Sequence, residues 1–421
     1  MRGEPGDIVI AGASVAGVGV ADELRRLGYP GRLVLLNAEP HVPYDRPPLS
    51  KGLLTGATSR DRTALRKPGH YADQKIELRT GAAATRLSPG PELELSTGEV
   101  LRPDAVVIAT GAQARSLPAL GAPAVPGARA TGAKSAPGAR NGSLGPVPTL
   151  RGLDDALWLR DRLTARTRLV VIGGGFIGGE VAASARKLGA DVTMIEAAPV
   201  PLAGILGEEP ARALLRAHRE AGVRVLCGVP VTRVDRRPGG AARVVLANGH
   251  VITGDLVVAG LGAVPDTGWL AGSGLDLGDG VRCDATGATT LSGVYAAGDV
   301  AAWLDPRSGR HVRHEHWTRA REQAKAVAAR ILGAEPLAAG PAYFWSDQYG
   351  RRIQALGDTA DADTIRLVHG RFDADSWVAL YGRAGRLTGA AGYNAAAALM
   401  RHRAAIAAGA PFPDACTTLA S

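Results

Sequence analysis

Two stretches of this chain carry the same local instruction. "IVIAGASVAG" (8–17) and "LVVIGGGFIGGE" (169–180) each read as a short apolar strand, a glycine turn and the start of a helix. In such a turn the first glycine makes a tight bend, the second lets backbone approach a pyrophosphate, and the third lets helix pack on strand. The helix N-terminus then offers N–H groups and a positive dipole to the phosphates. A chain with two of these devices is constrained to two βαβ units, each fitted to one dinucleotide. The second copy is regular, with Gly173, Gly175 and Gly178 between strand and helix. Glu196 ends its next strand, 18 residues beyond Gly178 (196 − 178). An acidic residue at that distance binds ribose hydroxyls and repels a 2′-phosphate, so the spacing predicts NADH rather than NADPH. The first copy reads Gly12, Ser14, Gly17, with serine in the place of the second glycine. The serine hydroxyl is small and able to bond a phosphate. Glu39, 22 residues past Gly17 (39 − 17), is the ribose-binding candidate of that unit. Two units imply two dinucleotides; a nicotinamide cofactor and FAD would satisfy them, and the glycines alone do not settle the order.

The rest of the chain follows the same grammar. "GVGVADELRRLG" has helical spacing, ends at Gly28 and is followed by "RLVLLNAEP" as a second strand. The same succession recurs over 168–199. Between them "LRPDAVVIATGA" is a buried-type strand ending in a turn at Ala109, Thr110 and Gly111. Downstream, "LVVAGLGAVPDT", which contains Gly262, and "GVYAAGDVAAW" are strand–turn signals without a third dinucleotide turn. The stretch 119–148 is rich in Pro, Gly, Ala and Ser and predicts an exposed connector. Beyond about Gln323, "RRIQALGD", "TIRLVHG" and "WVALYGRAGRLTGAAGYN" read as short antiparallel strands, followed by an Ala-rich helix from about Ala395. The expected fold class is α/β, with two Rossmann-like domains and a small α+β domain at the C-terminus.

Composition narrows the chemistry. The formal net charge of +9 favours acidic partners. Aromatics are only 4%, and no basic run interleaved with them suggests nucleic-acid binding. No apolar run is long enough to span a bilayer, and a cytoplasmic protein without membrane or nucleic-acid partners is expected. Cys227, Cys283 and Cys416 form no C-x-x-C pair and no metal-ligand spacing, so neither a dithiol centre nor a metal site is expected.

The segment "PYDRPPLSK" (43–51) resembles a hallmark of the oxygenase-coupled NADH:ferredoxin reductases. The resemblance continues in order through "VIATGA", "VIGGGFIGGEVA", "YAAGDVA", "EHW" and "FWSDQYG". It implies a glutathione-reductase-like fold, with FAD on the first turn and NADH on the second. The FAD-binding domain would be split into 1–112 and 251–323, around an NADH-binding domain at 113–250, with a reductase C-terminal domain at 324–421. It also implies roles for single residues. Asp299 would accept a hydrogen bond from the FAD ribityl chain, with Gly298 allowing close approach. Lys51 would lie near the flavin and support the charge of the reduced ring. Glu180 would reach the nicotinamide region and pair with Lys51. Trp317 would cover the flavin on the partner-facing side. Trp345, Asp347 and Gln348 would close that region from the C-terminal domain. Arg46 and Arg115 would contact the pyrophosphate or the adenine side. Two departures stand out: Ser14 for glycine, and Asp266 in "AVPDT" where asparagine is more familiar. The connector is also longer than is usual in that family.

The activity this implies is electron transfer from NADH through FAD to an acidic [2Fe–2S] ferredoxin serving a cytochrome P450 or a ring-hydroxylating oxygenase. A rubredoxin or a nitrite reductase centre is the alternative acceptor, and the protein would be a monomer or homodimer. A thiol-based disulfide reductase or peroxidase would need a reactive cysteine near the flavin, and "HVPYDRPPLSK" has none. A non-enzymatic NADH-sensing flavoprotein of apoptosis-inducing-factor type is a third reading. For the electron exit, Arg310, Arg313, Arg351 and Arg352 are expected to form a basic docking face beside Trp317.

Overall fold

The structure is a computed structural model that describes residues 6–117, 147–236, 240–306, 308–335 and 340–412. The expected connector lies almost wholly outside the described residues, and so does Cys416.

The first body is built on a parallel sheet in the order Val294–Ala296, Ala105–Ile108, Asp7–Ala11, Arg32–Asn37, Glu77–Thr80. Parallel strands covered on both faces read as continuous apolar runs, which is why "IVIA", "LVLL" and "AVVI" show no alternation. The helix Val15–Arg26 connects the third and fourth of these strands and packs on the helix Trp317–Ile331. Gly19 permits that approach, since a Cβ there would lie 3.0 Å from the Ala324 methyl. The strand Val294–Ala296 and the second helix return from late in the chain, so the first body is discontinuous. Its end differs. The helix Trp317–Ile331 runs through the boundary expected at 323, because Ala320, Ala324, Val327 and Ala328 bury one continuous stripe in the first core.

The second body has a parallel sheet in the order Arg224–Cys227, Asp191–Glu196, Arg168–Ile172, Leu256–Ala259, with an antiparallel sheet of Val231–Asp235, Ala242–Leu246 and Val251–Gly254 beside it. The boundary expected at 250 is therefore too early: Leu256–Ala259 pairs with Arg168–Ile172. A short apolar strand carries no mark of which sheet it joins, so its sequence could not place it. Ala112–Ala114 and Ala263–Pro265, where the chain passes between the two bodies, pair antiparallel.

The C-terminal sheet is antiparallel in the order Tyr343–Gln348, Arg351–Gly357, Arg386–Tyr393, Trp377–Arg383, Thr364–Gly370. Trp377 and Tyr381 are fully buried in it. The Ala-rich tail forms two short helices, Ala396–Met400 and Arg403–Ala408, rather than one; the buried His402 turns the chain between them.

Candidate active site

The second glycine turn opens on a cavity of about 380 Å³ lined by Gly173, Gly175, Glu196, Pro230, Leu261 and Gly262 among others. Two of its glycines are required by the chain itself. A Cβ on Gly173 would lie 2.3 Å from the Gly260 carbonyl oxygen, and one on Gly178 would lie 2.1 Å from the Gly173 carbonyl oxygen. Gly175 is different: its φ is −70°, and a Cβ there would meet nothing within 4 Å. Protein packing does not demand a glycine at that place, and its absent side chain leaves the N-terminus of the helix Phe176–Lys187 open to a phosphate. Glu196 is held at the cavity rim, its carboxylate accepting the N–H of Gly174 at 2.7 Å and of Ala198 at 2.8 Å.

The first turn repeats this frame. A Cβ on Gly12 would lie 2.2 Å from the Ala109 carbonyl oxygen, and one on Gly17 would lie 1.8 Å from that of Gly12. Ser14 caps the helix Val15–Arg26 with no side-chain hydrogen bond to it, which leaves the hydroxyl free for a ligand. Glu39 accepts the Tyr44 hydroxyl at 2.6 Å and lies 3.3 Å from Arg46, whose other nitrogen donates to the Arg151 carbonyl. Asp299 follows the positive-φ Gly298. The Gly298 N–H donates to Gln323 Oε1 at 2.9 Å, and Nε2 of that buried amide has no partner. An orphaned buried donor beside the Gly298–Asp299 turn fits a polar ligand lying there. Thr110 donates to the Asp266 carbonyl at 3.1 Å, and the Asp266 carboxylate accepts from Gln113, so aspartate is accommodated at this position. The Arg115 side chain is exposed, and the Arg115 backbone N–H donates to the Gly262 carbonyl where the bodies join.

Sequence reasoning missed Arg151. Its Nη2 lies 2.9 Å from Asp299 Oδ2 and its Nε donates to the Ala112 carbonyl at 2.8 Å. Asp155 fixes it by accepting the N–H groups of Arg151 and Gly152, both at 2.9 Å. One arginine thus ties the start of the helix Leu153–Arg160 to the Asp299 turn.

Lys51 and Glu180 do come together. Nζ lies 2.7 Å from Oε2, where the segment of Leu49, Leu53 and Leu54 packs in one core with the helix Phe176–Lys187. Glu180 is 3% exposed. Its carboxylate also accepts the hydroxyls of Ser50 at 2.5 Å and Ser346 at 2.6 Å. Trp317 lies beyond, donating from Nε1 to Asp45 at 2.8 Å and packing edge-on to Trp345 at a centroid distance of 6.0 Å. Burial raises the Asp45 carboxyl above its ordinary range, and the Trp317 hydrogen bond acts the other way. His316, next in the chain, stacks on Phe344 at 5.4 Å; burial lowers it and the neighbouring His314 to about 4, so both are neutral at pH 7.

The basic docking face expected from Arg310, Arg313, Arg351 and Arg352 is not present in that form. Arg313 is 11% exposed at its side chain and lies between Asp279 at 3.1 Å and Glu315 at 2.7 Å. Arg351 pairs with Asp375 at 2.6 Å, and Arg352 with Asp347 at 2.7 Å. Carboxylates, some local and some from other segments, neutralise three of these four charges, leaving Arg310 exposed at the start of the strand Arg310–Arg313. The cation at Trp317 is Arg321, whose guanidinium carbon lies 4.9 Å from the ring centroid. Among the described residues no group of His, Cys, Asp and Glu is arranged to hold a metal, and no helix is long and apolar enough to cross a membrane.

Residues 6–324 match the family model described as pyridine nucleotide-disulphide oxidoreductase, and residues 343–418 match the reductase C-terminal model. The chain belongs to the pyridine nucleotide-disulphide oxidoreductase family. Its members are oxidoreductases that use FAD and NAD(H). It is 36% identical over 352 residues to the ferredoxin–NAD(+) reductase subunit of the benzene 1,2-dioxygenase system of Pseudomonas putida, covering 83% of this chain and 80% of the relative. It is 35% identical over 360 residues to a rubredoxin-NAD(+) reductase of Pseudomonas putida, covering 85% and 88%. The crystal structure of the ferredoxin reductase for the CYP199A2 system of Rhodopseudomonas palustris superposes with a TM-score of 0.87 at 34% identity, covering 99% of this chain and 97% of that one.

Proposed function

We propose that this reductase carries electrons from NADH through FAD to an acidic [2Fe–2S] ferredoxin, which in turn serves a cytochrome P450 or a ring-hydroxylating oxygenase. The observation that carries the reading is the Lys51–Glu180 pair, which joins the segment after the first dinucleotide unit to the helix that opens at the second. Gly12, Ser14 and Gly17 would hold the FAD phosphates, Glu39 and Arg46 the adenosine side, and Ala109–Gly111 with Gly298 and Asp299 the middle of the cofactor. Gly173, Gly175, Gly178, Glu196 and Gly262 would hold NADH. Bound FAD supplies the redox chemistry, taking two electrons from NADH and passing them on singly.

The chain's own residues orient and screen. Lys51 would place a cation beside the bound ring, where it would favour the negative charge of the reduced cofactor. Glu180 holds Lys51 and would face the nicotinamide. Trp317 and Trp345 would cover the opposite approach, and Asp45 fixes the Trp317 indole. The thiol reading loses support from the cysteines that are described. Burial pushes the Cys283 thiol up to about 12 and raises Cys227, so neither is a ready thiolate. A rubredoxin as acceptor is the second reading, favoured by the rubredoxin-NAD(+) reductase relative. NADH-dependent cytochrome c reduction, with and without added [2Fe–2S] ferredoxin or rubredoxin, tests the assignment. A strong requirement for ferredoxin supports it, and indifference to both carriers refutes it.

A further inference from the structure

We infer that Ser346 is a positioning residue for Glu180, so that the carboxylate on the nicotinamide side is set from the C-terminal domain. The inference rests on the function proposed above and adds a residue to it. Residues i, i+3 and i+4 of a helix share a face, and alternate residues of a strand share a side. Phe176, Gly179 and Glu180 form such a face on the helix Phe176–Lys187; Phe344, Ser346 and Gln348 form such a side on the strand Tyr343–Gln348. The two sets meet residue on residue. The Phe176 and Phe344 rings lie 4.3 Å apart. A Cβ on Gly179 would fall 2.7 Å from the Gln348 amide nitrogen, so glycine at 179 serves this contact rather than a phosphate. Ser346 Oγ donates to Glu180 Oε1 at 2.6 Å.

The hydroxyl has a defined direction. Gln348 Nε2 donates to Ser346 Oγ at 3.1 Å, which occupies a lone pair of the serine and leaves its proton for the carboxylate. The other carboxylate oxygen, Oε2, is taken by Ser50 and Lys51. Glu180 therefore receives donors on both oxygens, and their positions fix its last two torsions. Removing Ser346 leaves a buried anionic oxygen without its donor, and the carboxylate turns toward Lys51 or water. Hydrogen bonds to charged groups are among the stronger ones, so the geometry of the pair depends on this serine. The opposite side of the same strand carries Tyr343 and Trp345, which stack at 6.1 Å beside Trp317.

The test is anaerobic stopped-flow reduction of the holoprotein by NADH in wild type, Ser346→Ala, Ser346→Thr, Glu180→Gln and the Ser346→Ala/Glu180→Gln double variant, with FAD content and thermal unfolding measured on each. The expected result is that Ser346→Ala keeps its FAD, unfolds only a few degrees below wild type, and slows bleaching on the order of tenfold at saturating NADH. Ser346→Thr restores the rate, and the effect of Ser346→Ala falls below about twofold in the Glu180→Gln background, as coupling through one carboxylate requires. Equal slowing in both backgrounds, a wild-type rate in Ser346→Ala, or loss of FAD from that variant overturns the inference while leaving the proposed function intact. A wild type that NADH does not bleach refutes the function itself, and this inference with it.

Discussion

Lys51 Nζ and Glu180 Oε2 lie 2.7 Å apart, joining the segment that follows the first glycine-turn unit to the helix that opens at the second turn. Under the proposed function, a pair in that place would act on electron entry rather than on holding FAD. Lys51→Met and Glu180→Ala are expected to slow NADH-driven bleaching of the flavin by about ten- to a hundredfold, the range for losing a charged hydrogen bond. The FAD-to-protein ratio should stay at the wild-type value. Stopped-flow absorbance and a cofactor assay check both, and unchanged rates in the two variants would make the pair structural.

Coenzyme choice should depend on Glu196. Its carboxylate is fixed by the Gly174 and Ala198 N–H groups at the rim of the second cavity. A 2′-phosphate brought there meets a held negative charge. The wild type should prefer NADH by kcat/KM, and Glu196→Arg should narrow or reverse the preference. Steady-state kinetics with both coenzymes decide it, and equal efficiency in the wild type contradicts the role.

Acid should weaken the fold through buried neutral histidines. Burial lowers His218, His314 and His316 from 6.5 to about 4. Between those values the unfolded chain binds more protons than the native one, so stability is present above pH 6.5 and is lost as pH falls toward 4. Denaturant unfolding from pH 7.5 to 4.5 should show this decline, and His316→Phe should flatten it. A variant with the wild-type slope would show that His316 does not carry a low pKa.

Partner docking should depend on Arg321 rather than on Arg313. Arg321 sits over Trp317, whereas Arg313 is enclosed by Asp279 and Glu315 and donates to the Asp299 carbonyl at 3.3 Å. Arg321→Ala should slow ferredoxin reduction and weaken its salt dependence, since charges are screened beyond about 8 Å at physiological ionic strength. Arg313→Ala should instead lower FAD retention. Measuring both half-reactions from low to high salt separates the two effects, and ferredoxin reduction insensitive to salt and to Arg321→Ala would remove this docking face.

What could be read in the chain before folding was what backbone geometry demands locally. Gly173 and Gly178 are glycines because carbonyl oxygens occupy the space of a Cβ, and such demands leave a fixed spacing in sequence. The Lys51–Glu180 pair was accessible only through a resemblance, because no local rule links residues so far apart. Arg151, which reaches Asp299 across 148 positions, left no signal at all. The same holds for the sheet allegiance of Leu256–Ala259 and for Asp279 and Asp375, which neutralise Arg313 and Arg351. A run of arginines reads as a basic face until folding brings the acidic partners to it.

The most direct test of the account is an anaerobic double-mixing experiment. The protein is first reduced with one equivalent of NADH and then mixed with excess [2Fe–2S] ferredoxin, with rubredoxin and a disulfide substrate in parallel. The expected result is rapid reoxidation by ferredoxin, with about two ferredoxins reduced per NADH, as a two-electron donor and one-electron acceptors require. Reoxidation by the disulfide but not by ferredoxin, or reduced protein that ferredoxin leaves unchanged, would contradict it.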